Sequence, residues 1–170
     1  MQRIIRRLAV GSLALVAIGI GTTSTSASAK PARPLAGELV GTFFFHECAA
    51  GAPEQALCLH DEVDGRLRHL GRTTGSFEVV FDVAKFEDGC GPISKQGSFV
   101  AANGDRLDVS AQGTFCFTTL IANYEFEVTG GTGRFAEASG GGSWVVPPPT
   151  TFDGVAGVGG ETVDGTITRG

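Results

Sequence analysis

Two histidines and two cysteines crowd one short segment, His46-Glu47-Cys48 followed by Cys58-Leu59-His60. Thiolates and imidazoles are the ligands zinc and copper take, so four of them on one hairpin face would make a metal site. The two triplets are arranged symmetrically about the intervening loop. A hairpin there would set His46 opposite His60 and Cys48 opposite Cys58. The competing reading is a disulfide with two exposed histidines beside it. Cys90 and Cys116 complete an even count of four, which allows three pairings. In an oxidising compartment they read as two disulfides. Cys48–Cys58 with Cys90–Cys116 is preferred, because the first closes a short loop containing Gly51 and Pro53. On that reading neither a metal nor another cofactor is expected.

Carboxylates supply the other candidate chemistry. Glu78 and Asp82 share one strand face, and Glu125 and Glu127 share another. A carboxylate pair does acid–base work when one member is desolvated and its pKa rises. Strict alternation instead assigns these four to the solvent faces of amphipathic strands, where charged residues normally sit. Tyr124, the only tyrosine, lies on the Phe126 face and so points toward a core. Trp144, the only tryptophan, would stack on a ligand if it stood at the mouth of a barrel, and packing explains it equally well. The catalytic candidates are therefore Glu78, Asp82, Glu125, Glu127 and Tyr124, and the ligand-binding candidates are Tyr124 and Trp144. No Gly-x-Ser-x-Gly run occurs. Gly140–Ser143 is turn material, and Thr129–Gly133 lacks the lysine of a phosphate loop.

The start of the chain bounds where this chemistry happens. Arg3, Arg6 and Arg7 precede an uncharged apolar run from Leu8 to Ile20, and Ala27-Ser28-Ala29 follows a small polar stretch. Those are the three parts of a secretory signal. The run is shorter than the roughly 20 residues a spanning helix needs. Cleavage is expected after Ala29, leaving Lys30–Gly170 as one exported domain that is not held to a membrane. The full chain has 13 basic and 18 acidic residues, net −5. Without the three signal arginines the net charge is −8. Such a domain is repelled by nucleic acid and anionic membranes.

Strands must position the candidates. Residues 30–36, with Pro31 and Pro34, read as a flexible lead-in, and residues 37–170 as the domain. Residues 37–45 are apolar on both faces and predict a buried strand. Residues 76–84 alternate, with Phe77, Val79, Phe81 and Val83 on the core face. Asn103-Gly104-Asp105 joins strands at 97–102 and 106–118 as a hairpin, since both Asn and Gly accept positive φ. Gly113 marks a bulge or sharp bend in the second arm. Further strands are expected at 120–129, 139–146 and 161–169, with a Pro- and Gly-rich loop before the last. One helical turn is expected near 134–138. Seven to nine strands in meander order, rich in glycine, predict an all-β fold: a single antiparallel barrel of about eight strands, because closure removes sheet edges.

One block is distinctive. In Thr129-Gly130-Gly131-Thr132-Gly133-Arg134-Phe135-Ala136-Glu137-Ala138 the glycines permit conformations closed to other residues, and Phe135 offers an apolar plug. The expected unit is strand, tight turn, helical turn, strand, at one end of the barrel. This corner resembles that of the allene oxide cyclase and dirigent families, which share an eight-stranded barrel. The wider pattern looks like a group of secreted bacterial proteins with that barrel. In the cyclases a pocket glutamate and polar residues act on an epoxide. In dirigent proteins acidic residues and an arginine steer a quinone methide. No position here matches those sites by motif, so the resemblance implies fold and not activity.

The function expected is a secreted barrel that holds a small apolar ligand or serves a non-catalytic surface role. The alternatives are a cyclase- or dirigent-like isomerase acting on a small apolar substrate, and a structural protein whose barrel is filled. Twelve phenylalanines are enough to fill one.

Overall fold

A computed structural model describes residues 30–169; residues 1–29, the expected signal, lie outside the described residues. The chain forms β1 (Arg33–His46), β2 (Ala56–Leu67), β3 (Gly71–Asp82), β4 (Cys90–Val100), β5 (Arg106–Cys116), β6 (Ile121–Gly131), β7 (Ser139–Val146), β8 (Thr151–Phe152) and β9 (Ala156–Thr168). Each of β1 to β6 pairs antiparallel with the next, β7 pairs with β9, and β9 returns to β1. The result is a closed barrel of eight strands. The two-residue β8 continues the line of β7 beside the start of β9, after Pro147–Pro149 interrupts it. Prolines cannot donate to the ladder, so the wall is broken there.

Inward positions follow the period of two. β3 sends Phe77, Val79 and Phe81 inward, and β6 sends Ala122, Tyr124, Phe126 and Val128, all buried. One end of the barrel is sealed. Leu35, Leu67, Leu70, Phe99, Leu107 and Ile167 pack there around Phe135, which is fully buried. The glycine corner delivers that plug. The Thr132 N–H donates to the Arg106 carbonyl at 2.8 Å and the Thr132 hydroxyl accepts the Arg106 N–H at 2.9 Å, and a 3-10 turn at Gly133–Phe135 follows. Gly133 has φ +55°, and a Cβ there would run into the Asp105 carboxylate, so glycine is required.

Several expectations are corrected. The lead-in ends early: β1 begins at Arg33, and Leu35 is wholly buried against the closed end. Pro31 and Pro34 mark no boundary, since a proline is tolerated at the start of a strand. The wall bulges between Asp108 and Val109, not at Gly113. Gly113 is instead a close approach, where a Cβ would strike the Asn123 carbonyl of the neighbouring strand. In the β1–β2 hairpin His46 lies opposite Cys58 and Phe44 opposite His60, two residues out of the symmetric register. Cys48 lies beyond the strand end and bridges back to Cys58; Cys90 bridges to Cys116 across β4 and β5. The thiolates that a zinc or copper site would need are therefore consumed.

Candidate functional site

The half of the barrel away from the Phe135 plug holds a cavity of about 170 Å³. Its walls are Phe43, Phe45, Phe81, Phe115, Leu59 and Val79. Its mouth lies where the Cys116–Ile121 turn and the Pro147–Phe152 segment meet. Phe117, Leu120 and Phe152 form part of the rim and stand 45%, 40% and 51% exposed.

The floor of this apolar cavity is charged. Asp61 of β2, Lys95 of β4 and Glu161 of β9 converge there, at 3%, 1% and 5% exposure. The Lys95 ammonium donates to Asp61 Oδ2 at 2.5 Å and to Glu161 Oε2 at 3.0 Å. Trp144 Nε1–H donates to the same Glu161 oxygen at 2.7 Å. Beneath the ammonium lie the Trp144 ring, 3.8 Å to the centroid, and the Phe77 ring at 5.1 Å. Those rings and Phe99 pack edge-on and tilted at 4.9 to 5.2 Å and separate the floor from the sealed half. A buried ammonium between two carboxylates and two ring faces is held by charge-assisted bonds and cation–π attraction together.

The floor is not fully satisfied. Asp61 Oδ1 is buried and has no hydrogen-bond partner among the described residues. Gly41 of β1 leaves the space beside it, since a Cβ there would run into Glu161 Oε1 and sit 3.0 Å from Asp61 Oδ1. An unpaired buried acceptor costs on the order of 1–3 kcal/mol, and a donor arriving from the cavity would recover it.

Burial pushes the Glu161 carboxyl up to about 7; Lys95 pulls it down, and Asp61 pushes it up again by its charge and by the hydrogen bond a protonated Glu161 makes to it, so Asp61 Oδ1 lacks a donor among the described residues once Glu161 is ionised. A group there exchanges a proton near neutral pH. The Tyr124 phenol, 4% exposed on the same cavity, is held well above its usual 10 by burial and by the Glu161 and Asp61 charges. It therefore stays protonated.

Most of the candidates named from sequence lie elsewhere. Glu78, Glu125 and Glu127 are on the outer wall. Glu78 binds both histidines, His46 Nε2 at 2.9 Å and His60 Nδ1 at 2.6 Å, and those bonds draw its carboxyl down against the opposing effect of burial. Asp82 ends β3 and pairs with Lys85 at 2.6 Å. Trp144 is not at the mouth; it is wholly buried under the floor. Tyr124 alone of the catalytic candidates faces the cavity. Asp61, Lys95 and Glu161 were missed, yet each carries a signal: a single charge in phase with an apolar face. Asp61 alternates with Leu59 and Val63, Lys95 with Ile93 and Phe99, and Glu161 with Val163 and Ile167.

Fold and site together define a closed eight-stranded antiparallel barrel, plugged at one end and open at the other onto an apolar cavity with a charged floor. No family model matches the chain, and no curated protein matches it. Among solved structures, it is similar to a pterocarpan synthase dirigent protein at a TM-score of 0.48 and 11% identity, over 82% of this chain and 87% of that one.

Proposed function

We propose that the barrel binds a small, ring-sized apolar ligand carrying one hydrogen-bond donor, and that it does so after export. The observation that carries the ligand reading is the unpaired Asp61 Oδ1 at the floor of an otherwise apolar cavity. A cavity of about 150 Å³ lined by apolar side chains suffices for benzene, and this one is of that order. The floor carries one ammonium against two carboxylates and presents a free acceptor, so an anionic ligand head is disfavoured and a hydroxyl or amine favoured. Export is supported by the signal-like start of the sequence and by the two disulfides. The glycine corner that carries the family resemblance lies at the opposite end and contributes nothing to the cavity.

Glu161 favours a second reading, an isomerase or cyclase acting on a small apolar substrate. A carboxyl with a pKa of about 7 in an apolar pocket, next to a second carboxylate, can give and take a proton at neutral pH. The binding reading stands first because it needs only the cavity and the unpaired acceptor.

Native mass spectrometry of the protein recovered from its own medium tests it. A bound neutral compound of ring size is expected, lost in the cavity-filling variant Ala122→Phe. Repeated recovery of the empty protein, which also fails to take up small ring alcohols, would remove the reading.

A further inference from the structure

The sealed end of the barrel carries the opposite sign from the rest of the domain. Arg33 opens β1, Arg68 and His69 form the β2–β3 turn, Arg134 lies in the glycine corner, and Arg169 follows β9. The guanidinium groups of Arg134 and Arg169 both lie on the Phe135 ring, at 4.8 and 5.3 Å from its centroid. Arg169 Nη2–H also donates to the His69 carbonyl at 2.9 Å, which ties the corner to the turn. Burial first, and then the charges of Arg169, Arg33, Arg68 and Arg134, lower the pKa of the His69 ring.

Among the described residues, Asp105 is the carboxylate paired with this group, 3.6 Å from Arg134 Nε. It is already engaged by the Asn103 amide at 2.7 Å and the Arg134 backbone N–H at 3.3 Å. The Nε atoms of Arg134 and Arg169 are buried without a hydrogen-bond partner among the described residues. Four guanidinium groups gathered at one end repel one another, and an anion among them lowers that cost. Two of the four are already held in place by a shared aromatic ring, so little side-chain entropy is lost when they clamp one.

We propose that the sealed end is a binding site for a tetrahedral oxyanion, a sulfate or phosphate group, clamped by Arg33, Arg68, Arg134 and Arg169. Arginine forks match such oxygens in pairs, and His69 stands beside them as a further donor once protonated. The group arrives either as the free anion or as an ester on a saccharide. The site is independent of the cavity, which lies at the other end.

The imidazole resonances of His69, identified through His69→Asn, report on the site. Sulfate is the probe because its charge is constant across the titration, with chloride at equal ionic strength as control. Sulfate is expected to raise the His69 pKa relative to chloride. The exposed pair Arg33→Gln/Arg68→Gln, which touches no packing, is expected to weaken sulfate binding by about tenfold, the effect of removing roughly 1.4 kcal/mol of charge-assisted bonding. A sulfated disaccharide that binds tighter than sulfate identifies the ester as the source; equal binding identifies the free anion. The proposal is overturned if sulfate moves His69 no more than chloride does, or if the double variant, folded by its circular dichroism, responds as the parent does.

Discussion

Burial first, then Lys95 and Asp61, decide the charge of Glu161. Its carboxyl sits at about 7 in the folded barrel, above its ordinary 4.5. Between those values the folded state holds a proton that the unfolded chain has lost. Its contribution to stability is therefore complete below about 4.5 and disappears as pH rises through 7. Across that window the loss is on the order of a few kcal/mol. Denaturant unfolding from pH 5 to 8 should show the parent losing stability with a steeper slope than Glu161→Gln, which has no proton to lose. Lys95 answers a different question. Removing it with Lys95→Met leaves two buried carboxylates uncompensated, and breaking such a group costs about 3–5 kcal/mol. That loss should be larger at pH 8 than at pH 5, where Glu161 accepts a proton and the repulsion falls. The three residues were hard to see in the sequence because β2, β4 and β9 contribute one each. Carboxylate pairs two residues apart, such as Glu125 and Glu127, attract notice first. In a strand that spacing keeps both on one face, and here that face is the solvent.

Among the strands and turns, the alternating ones were legible. Phe77-Val79-Phe81 and Tyr124-Phe126-Val128 identify their inward faces without help, and the Asn103-Gly104 hairpin forms with Gly104 at φ +86°. β2 was not legible as a strand of its own. Its inward line, Leu59, Asp61, Val63, Gly65, Leu67, is interrupted by a charge and a glycine, and the nearby cysteines and histidines draw attention to metal chemistry. β8 and the start of β9 were hidden by the Pro- and Gly-rich composition around them. The glycine corner reads correctly as a turn followed by a plug. Phe135→Ala empties the centre of the sealed end, and a buried phenylalanine truncated this way costs about 3–5 kcal/mol. Thermal unfolding should register that loss while ligand uptake at the far end is retained in the folded fraction, because the Phe77–Phe99–Trp144 layer separates the two halves.

The whole molecule is a cylinder with two unlike ends. Four cysteines brace the open one, with Cys48–Cys58 tying the β1–β2 loop and Cys90–Cys116 tying β4 to β5. Each bridge contributes about 3 kcal/mol by restricting the unfolded chain. Twelve phenylalanines could fill an eight-stranded interior completely. They do not, because Phe117 and Phe152 stand at the rim and Phe44 points outward. The space they leave reaches down to Asp61, Lys95 and Glu161. Ligand binding turns on that space and on the free acceptor at its floor, and three probes of one shape separate the two contributions. Phenol, toluene and benzoate are titrated into the protein while the emission of Trp144, the only tryptophan, reports on the floor. Phenol should bind tightest, toluene more weakly by about tenfold for the missing hydrogen bond, and benzoate weakest of all. Benzoate binding as tightly as phenol, or no difference between phenol and toluene, would contradict the account.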